Sequence, residues 1–151
     1  MQVRIKPSRV LSGSVRIPGD KSISHRYAML AALANGTSVL KNFSAGADPH
    51  STLGCVASLG VGVEKNGGEI KVHGKGVRGL SAPTGDLDAG NSGSTIRMLS
   101  GILAAQPFAT TIFGDSSLSR RPMKRIMTPL QQMRSEEHTE LQSPMYLVCR
   151  L

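Results

Sequence analysis

An α/β fold assembled from a repeated unit is what this sequence predicts, and three observations carry the prediction. Gly19-Asp20-Lys21-Ser22-Ile23-Ser24-His25-Arg26 and Gly90-Asn91-Ser92-Gly93-Ser94-Thr95-Ile96-Arg97 hold a glycine and an arginine at the same spacing, with 71 residues between the copies. After each stretch the same order follows: apolar residues at helical spacing, a short β-rich run, then a second helical stretch. Each helix is apolar over a broad face and each strand is short, the pattern of units that pack helices against sheet faces around a shared core.

In chain order, Ala28, Met29, Ala32 and Leu33 recur at helical spacing within Ser24 to Asn35, where Asn35-Gly36 supplies a stop. Ser38 to Phe43 reads as a strand. Asp48 followed by Pro49 reads as an N-cap and first helical position, opening a helix through Leu53, Val56 and Leu59 to Gly60. Val61 to Lys65 and Glu69 to His73 flank Asn66-Gly67-Gly68 as a hairpin. The shift of 71 then predicts a helix over Thr95 to Ala105, a strand over Thr110 to Phe113 and a helix over Pro122 to Met133, with Leu130 where Leu59 stood. The units are 19–89 and 90–133, the second without its closing hairpin. Residues 1–18 precede them as two expected strands, Gln2 to Lys6 and Gly13 to Ile17. From Arg134 the pattern breaks: 134–151 carries three of the ten acidic residues, continues no earlier periodicity and is expected to be a non-native tail.

Composition narrows the function. A chain of 151 residues with 39% apolar content can bury a core. Only 3% of it is aromatic, without tryptophan, which argues against the stacking platforms of single-strand nucleic-acid binders. The charge of +8 is scattered singly apart from Arg120-Arg121 and Lys124-Arg125, a distribution that favours small anions over a nucleic-acid track. Cys55 and Cys149 have no metal or redox spacing and read as filler in a reducing cytoplasm. No apolar run is long enough to span a bilayer, and no signal peptide is evident. No cofactor or metal is implied.

The two matched stretches carry the chemistry. A helix start offers unpaired N–H groups and a positive dipole end, Lys21 adds a point charge, and Arg26 a planar fork suited to carboxylate or phosphate. Taken alone Arg26 would read as a surface ion-pair residue; within the intact motif it reads as a ligand. His25 reads as a packing residue rather than a base, and Asp48 as a cap rather than half of a dyad with His50.

Together with Ser117-Leu118-Ser119-Arg120-Arg121-Pro122-Met123, the stretches Pro18 to Arg26 and Gly90 to Arg97 resemble the 5-enolpyruvylshikimate-3-phosphate synthase family. The resemblance runs from Met1 to about Met133, roughly the first third of such an enzyme. The related transferase acting on a UDP-sugar, UDP-N-acetylglucosamine enolpyruvyl transferase, carries Lys-Asn where this chain has Lys21-Ser22, which decides against it. A free-standing basic anion-binding or nucleic-acid module is the competing class.

The resemblance implies the enolpyruvyl transferase fold: repeated βαβαββ-type units with helices inside and sheets outside, incomplete here, with residues 1–18 crossing to the other half. It implies enolpyruvyl transfer from phosphoenolpyruvate to the 5-hydroxyl of shikimate 3-phosphate in aromatic amino acid biosynthesis, by a cytoplasmic monomer without membrane or nucleic-acid partners. By the same resemblance, Lys21 touches both substrates and is catalytic. Ser22 and Arg26 hold shikimate 3-phosphate, and Asn91, Gly93 and Arg121 hold phosphoenolpyruvate. Arg97 and Ser94 rank below these, Ser94 standing where the family more often has threonine, and Arg120 is a solvated neighbour. The family's acidic catalytic residues lie in the other half, so these 151 residues alone are expected not to turn over.

Overall fold

A computed structural model describes residues 2–7, 10–133 and, as backbone, 147–149. The first helix, α1 (Lys21–Leu33), starts three residues earlier than its apolar spacing suggests, because the Asp20 carboxylate accepts from the Ile23 N–H at 2.7 Å and caps it. It also stops earlier: Asn35 and Gly36 open β1 (Asn35–Lys41) instead of closing the helix. The second helix, α2 (Ala47–Ser58), overturns the capping role expected of Asp48. Gly46 is the N-cap, without a side-chain bond, and Asp48 lies inside the first turn, where a negative charge still suits the dipole.

The hairpin forms as expected from β2 (Gly62–Asn66) and β3 (Glu69–Lys75), with Val63 opposite Val72 and Asn66 opposite Glu69. Its two-residue turn needs positive φ twice, and Gly67 and Gly68 supply +53° and +92°. With β1 added on the far side of β3, the first sheet is antiparallel in the order β1-β3-β2.

The second sheet centres on β5 (Thr110–Phe113), as predicted, flanked by a parallel two-residue strand β4 (Leu87–Asp88) and an antiparallel β6 (Leu147–Cys149). Neither flank was expected: β4 is too short to show a period, and β6 lies within 134–151, whose other residues fall outside the described ones. Between β4 and β5 runs α3 (Gly93–Leu103). Its Ser92 cap accepts from the Thr95 N–H at 3.1 Å, so it too starts ahead of the apolar run. The helix expected over Pro122 to Met133 forms as α5 (Lys124–Gln132), and a single unexpected turn, α4 (Ser116–Ser119), capped by Asp115, precedes it.

Helices α1, α2 and α3 pack together, with α1 also against β3. The core they close includes Ala28, Leu53, Leu59, Val72, Leu87, Leu99, Leu103 and Ile112, all nearly inaccessible. The strands expected in residues 2–6 and 13–17 do not form. No strand of the described residues pairs with them, and Val3, Ile5, Leu11, Val15 and Ile17 stay exposed, so a β-like pattern there has no ladder to join.

Candidate anion-binding site

Three helix starts meet on one side of this core. Lys21, the first residue of α1, pairs its ammonium with the Asp48 carboxylate in the first turn of α2. Thr95, in the first turn of α3, points its hydroxyl at the Asp48 carbonyl at 3.4 Å. Beneath them runs a buried hydrogen-bonded chain: His25 Nδ1 to Thr52 Oγ1 at 2.6 Å, Thr52 Oγ1 to Thr95 Oγ1 at 2.8 Å, and Thr95 Oγ1 to Ser92 Oγ at 2.7 Å. His25, Thr52, Thr95 and Ser92 are each fully inaccessible, so this chain ties α1, α2 and α3 together where the two matched motifs begin. Burial pushes the His25 pKa down, opposed by the Asp48 charge and assisted by Lys21, so the ring is neutral at pH 7. His25 is thus a packing residue, as expected from the sequence.

Around the start of α3, four predicted residues gather. Arg121 donates from Nη2 to Asn91 Oδ1 at 2.8 Å, and Asn91 Nδ2 donates to Asp115 at 2.6 Å. Arg97 donates from Nη2 to the Pro122 carbonyl at 3.4 Å. Both guanidinium groups close on Gly93: a β-carbon there would lie 2.9 Å from Arg97 Nη1 and 3.1 Å from Arg121 Nη1. The two Nη1 atoms are therefore at most about 6 Å apart, and among the described residues neither arginine has a carboxylate as ion-pair partner. Two like charges at that distance repel by about 3 kcal/mol at an effective dielectric near 20, less where water screens them. An anion between them removes that cost, and the bare Gly93 leaves room for it.

The other predicted residues stand apart. Ser22 and Arg26 are exposed on α1 and Ser94 is half-buried on α3; their side chains make no hydrogen bond or ion pair with a described residue. Arg120 is exposed, as expected for a solvated neighbour. Burial, aided by the Asp88 charge, raises the Cys55 thiol to about 12, and its Sγ donates to the Asp88 carbonyl, so the thiol is inert. Sequence reasoning missed Asp48 as the Lys21 partner, Thr95 as a link between helices, and Thr52 and Asp115 altogether. Asp115 ahead of Ser116-Ser117-Leu118 carries a cap signature that could have found it; Thr52 carries no sequence signal. Among the described residues no three His, Cys, Asp or Glu side chains gather as a metal set, and no helix is long and apolar enough to cross a membrane.

A family model described as EPSP synthase (3-phosphoshikimate 1-carboxyvinyltransferase) matches residues 5–142. The chain belongs to the EPSP synthase family. It is 65% identical over 136 residues to the 3-phosphoshikimate 1-carboxyvinyltransferase of Solibacter usitatus and 59% identical over 139 residues to that of Koribacter versatilis. These alignments cover 90% and 91% of this chain but 32% of each relative, so the chain spans about a third of their length. The solved EPSP synthase of Acinetobacter baumannii superposes with a TM-score of 0.84 at 42% identity, over 91% of this chain and 32% of that one. The α/β fold of this segment is thus that of an EPSP synthase in part. Both the start of α1 and the start of α3 fall inside the matched span.

Proposed function

We propose that this segment supplies part of the substrate site of an enzyme that transfers the enolpyruvyl group of phosphoenolpyruvate to the 5-hydroxyl of shikimate 3-phosphate. The observation that supports it best is the convergence of Arg97 and Arg121 on Gly93, neither ion-paired to a carboxylate among the described residues, beside a lysine at a neighbouring helix start. Both substrates are polyanions, and bringing them together is prohibitive unless cations offset their repulsion.

In this reading Arg121 and Arg97 take the phosphoenolpyruvate anion, Asn91 turns a remaining amide hydrogen toward it, and Gly93 lets it approach the backbone. Ser94 adds a hydroxyl one residue on. Lys21 leaves Asp48 to lie between both substrates, while Ser22 and the unpaired Arg26 receive shikimate 3-phosphate, the Arg26 fork on its carboxylate. The 5-hydroxyl gives up its proton to a base as its oxygen bonds to C2 of phosphoenolpyruvate and an acid adds a proton to C3, giving a tetrahedral adduct. Loss of phosphate with a proton from the new methyl group restores the double bond. Developing charge at the phosphate is what Lys21 and the arginines stabilise, whereas the proton transfers need acid and base groups that we assign to the remainder of the enzyme.

The test replaces the matching segment of the Solibacter usitatus relative with residues 1–133 of this chain, a graft favoured by their 65% identity. Phosphate release from the graft with both substrates is expected, and none from the 151-residue chain alone. A graft that folds but releases no phosphate would contradict the proposal. Duplex DNA binding by the chain that survives ~0.2 M salt would favour the competing basic module, since purely electrostatic attachment weakens steeply there.

A further inference from the structure

Asp115 performs two separable tasks on its two oxygens. Oδ1 accepts from the Ser117 N–H at 3.0 Å and the Leu118 N–H at 2.8 Å, capping α4. Oδ2 accepts from Asn91 Nδ2 at 2.6 Å, and the other end of the same amide, Asn91 Oδ1, accepts from Arg121 at 2.8 Å. A carboxylate only accepts and a guanidinium only donates, so the asparagine between them has one orientation that satisfies both. The Asn91 bond, then the Leu118 N–H, hold the Asp115 carboxyl below the usual carboxylate range, so it is ionised at neutral pH.

We infer that Asp115 is a positioning residue of the anion site: through Asn91 it fixes the direction of an amide and thereby the seat of the Arg121 guanidinium beside Gly93. Capping alone would make Asp115 a local residue of α4, and Arg121 alone is expected only as a ligand. The geometry joins them in one polarised line from the α4 backbone to the cation. The identity of the anion rests on the proposed function; the polarity of the line does not.

Two substitutions separate the tasks, because asparagine and serine cap helices about as well as aspartate. In Asp115→Asn, Oδ1 can still cap α4, but an NH2 group replaces the acceptor facing Asn91. The Asn91 amide must then turn, which sets its own NH2 against the guanidinium. In Asp115→Ser the cap remains and the side chain is too short to reach Asn91, so the amide is merely released.

The experiment titrates the 151-residue chain and both variants with phosphoenolpyruvate, following the Gly93 amide and the Asn91 side-chain amide by NMR, with thermal unfolding of each. The expected result is unfolding midpoints within ~2 °C of one another, as retained caps require. The Asn91 side-chain resonances should move in both variants. The dissociation constant should rise about tenfold in Asp115→Asn and less in Asp115→Ser, the size expected when one charge-assisted bond is lost. Unchanged Asn91 resonances and equal affinities would overturn the inference, since a residue that only caps predicts that outcome. If the parent chain itself shows no response to phosphoenolpyruvate, phosphate release from the graft decides the functional reading instead. The Asn91 resonances in Asp115→Asn then decide the inference alone: movement supports it and constancy refutes it.

Discussion

Replacing Gly93 with alanine separates binding from folding. The backbone at Gly93 is not in the left-handed region, so alanine fits its conformation, and at the first position of α3 it favours the helix by up to about 1 kcal/mol over glycine. The new methyl group, however, would stand 2.9 Å from Arg97 Nη1 and 3.1 Å from Arg121 Nη1, inside the ordinary contact distance that begins near 3.4 Å. Each guanidinium must retreat by a few tenths of an ångström. A charge-assisted hydrogen bond is worth roughly 1.5–3 kcal/mol, so stretching two of them removes on the order of 1–3 kcal/mol of anion binding, about 5- to 150-fold in affinity. The assay compares KM for phosphoenolpyruvate and for shikimate 3-phosphate in the grafted enzyme, with thermal unfolding alongside. The first KM is expected to rise, the second to hold and the midpoint to hold or climb. Equal losses for the two substrates, or a fall in the midpoint with unchanged KM, would refute it.

Three further outcomes follow from the same geometry. Thr52→Val leaves His25 Nδ1 and Thr95 without a shared partner and is expected to cost about 1–3 kcal/mol in urea unfolding, with Thr52→Ser recovering most of it. Asp48→Asn breaks the Lys21 pair, in which the lysine is exposed and the carboxylate partly buried; stability should change by less than about 1 kcal/mol while anion affinity rises, measured by calorimetric titration. The buried His25 has a folded pKa below its ordinary 6.5, so the unfolded chain binds more protons in the window just below 6.5. Its contribution is therefore full above pH 6.5 and is lost as pH falls through the folded value. Urea midpoints taken between pH 8 and 5 should decline accordingly, and less steeply in His25→Asn.

What could be read from the sequence divides along physical lines. Periodicity found α1, α2, α3, the hairpin and β5, because apolar spacing and the Gly67-Gly68 turn are local signals. It misplaced helix starts, since Asp20 and Ser92 cap ahead of the apolar run and Gly46 takes the place expected of Asp48. It expected strands in residues 2–6 and 13–17, where side-chain pattern was right for a ladder and no neighbouring strand provides one. At the site, Asn91, Gly93, Arg97 and Arg121 were legible because motif order carries them. The approach of Arg97 to Gly93, similar to that of Arg121, was not legible, because only the packing of α3 against the segment around Pro122 creates it. Thr52 and Asp48 were invisible because their partners lie 43 and 27 residues away in the chain, Thr95 and Lys21 respectively.

The central claim is that Arg97 and Arg121 are held together across a bare glycine to receive an anion. A crystal structure of the grafted enzyme with phosphoenolpyruvate bound tests it most directly. The ligand's charged oxygens are expected within hydrogen-bond distance of both guanidinium groups and against the Gly93 backbone. A ligand seated elsewhere, with Arg97 and Arg121 turned onto protein carboxylates, would contradict it.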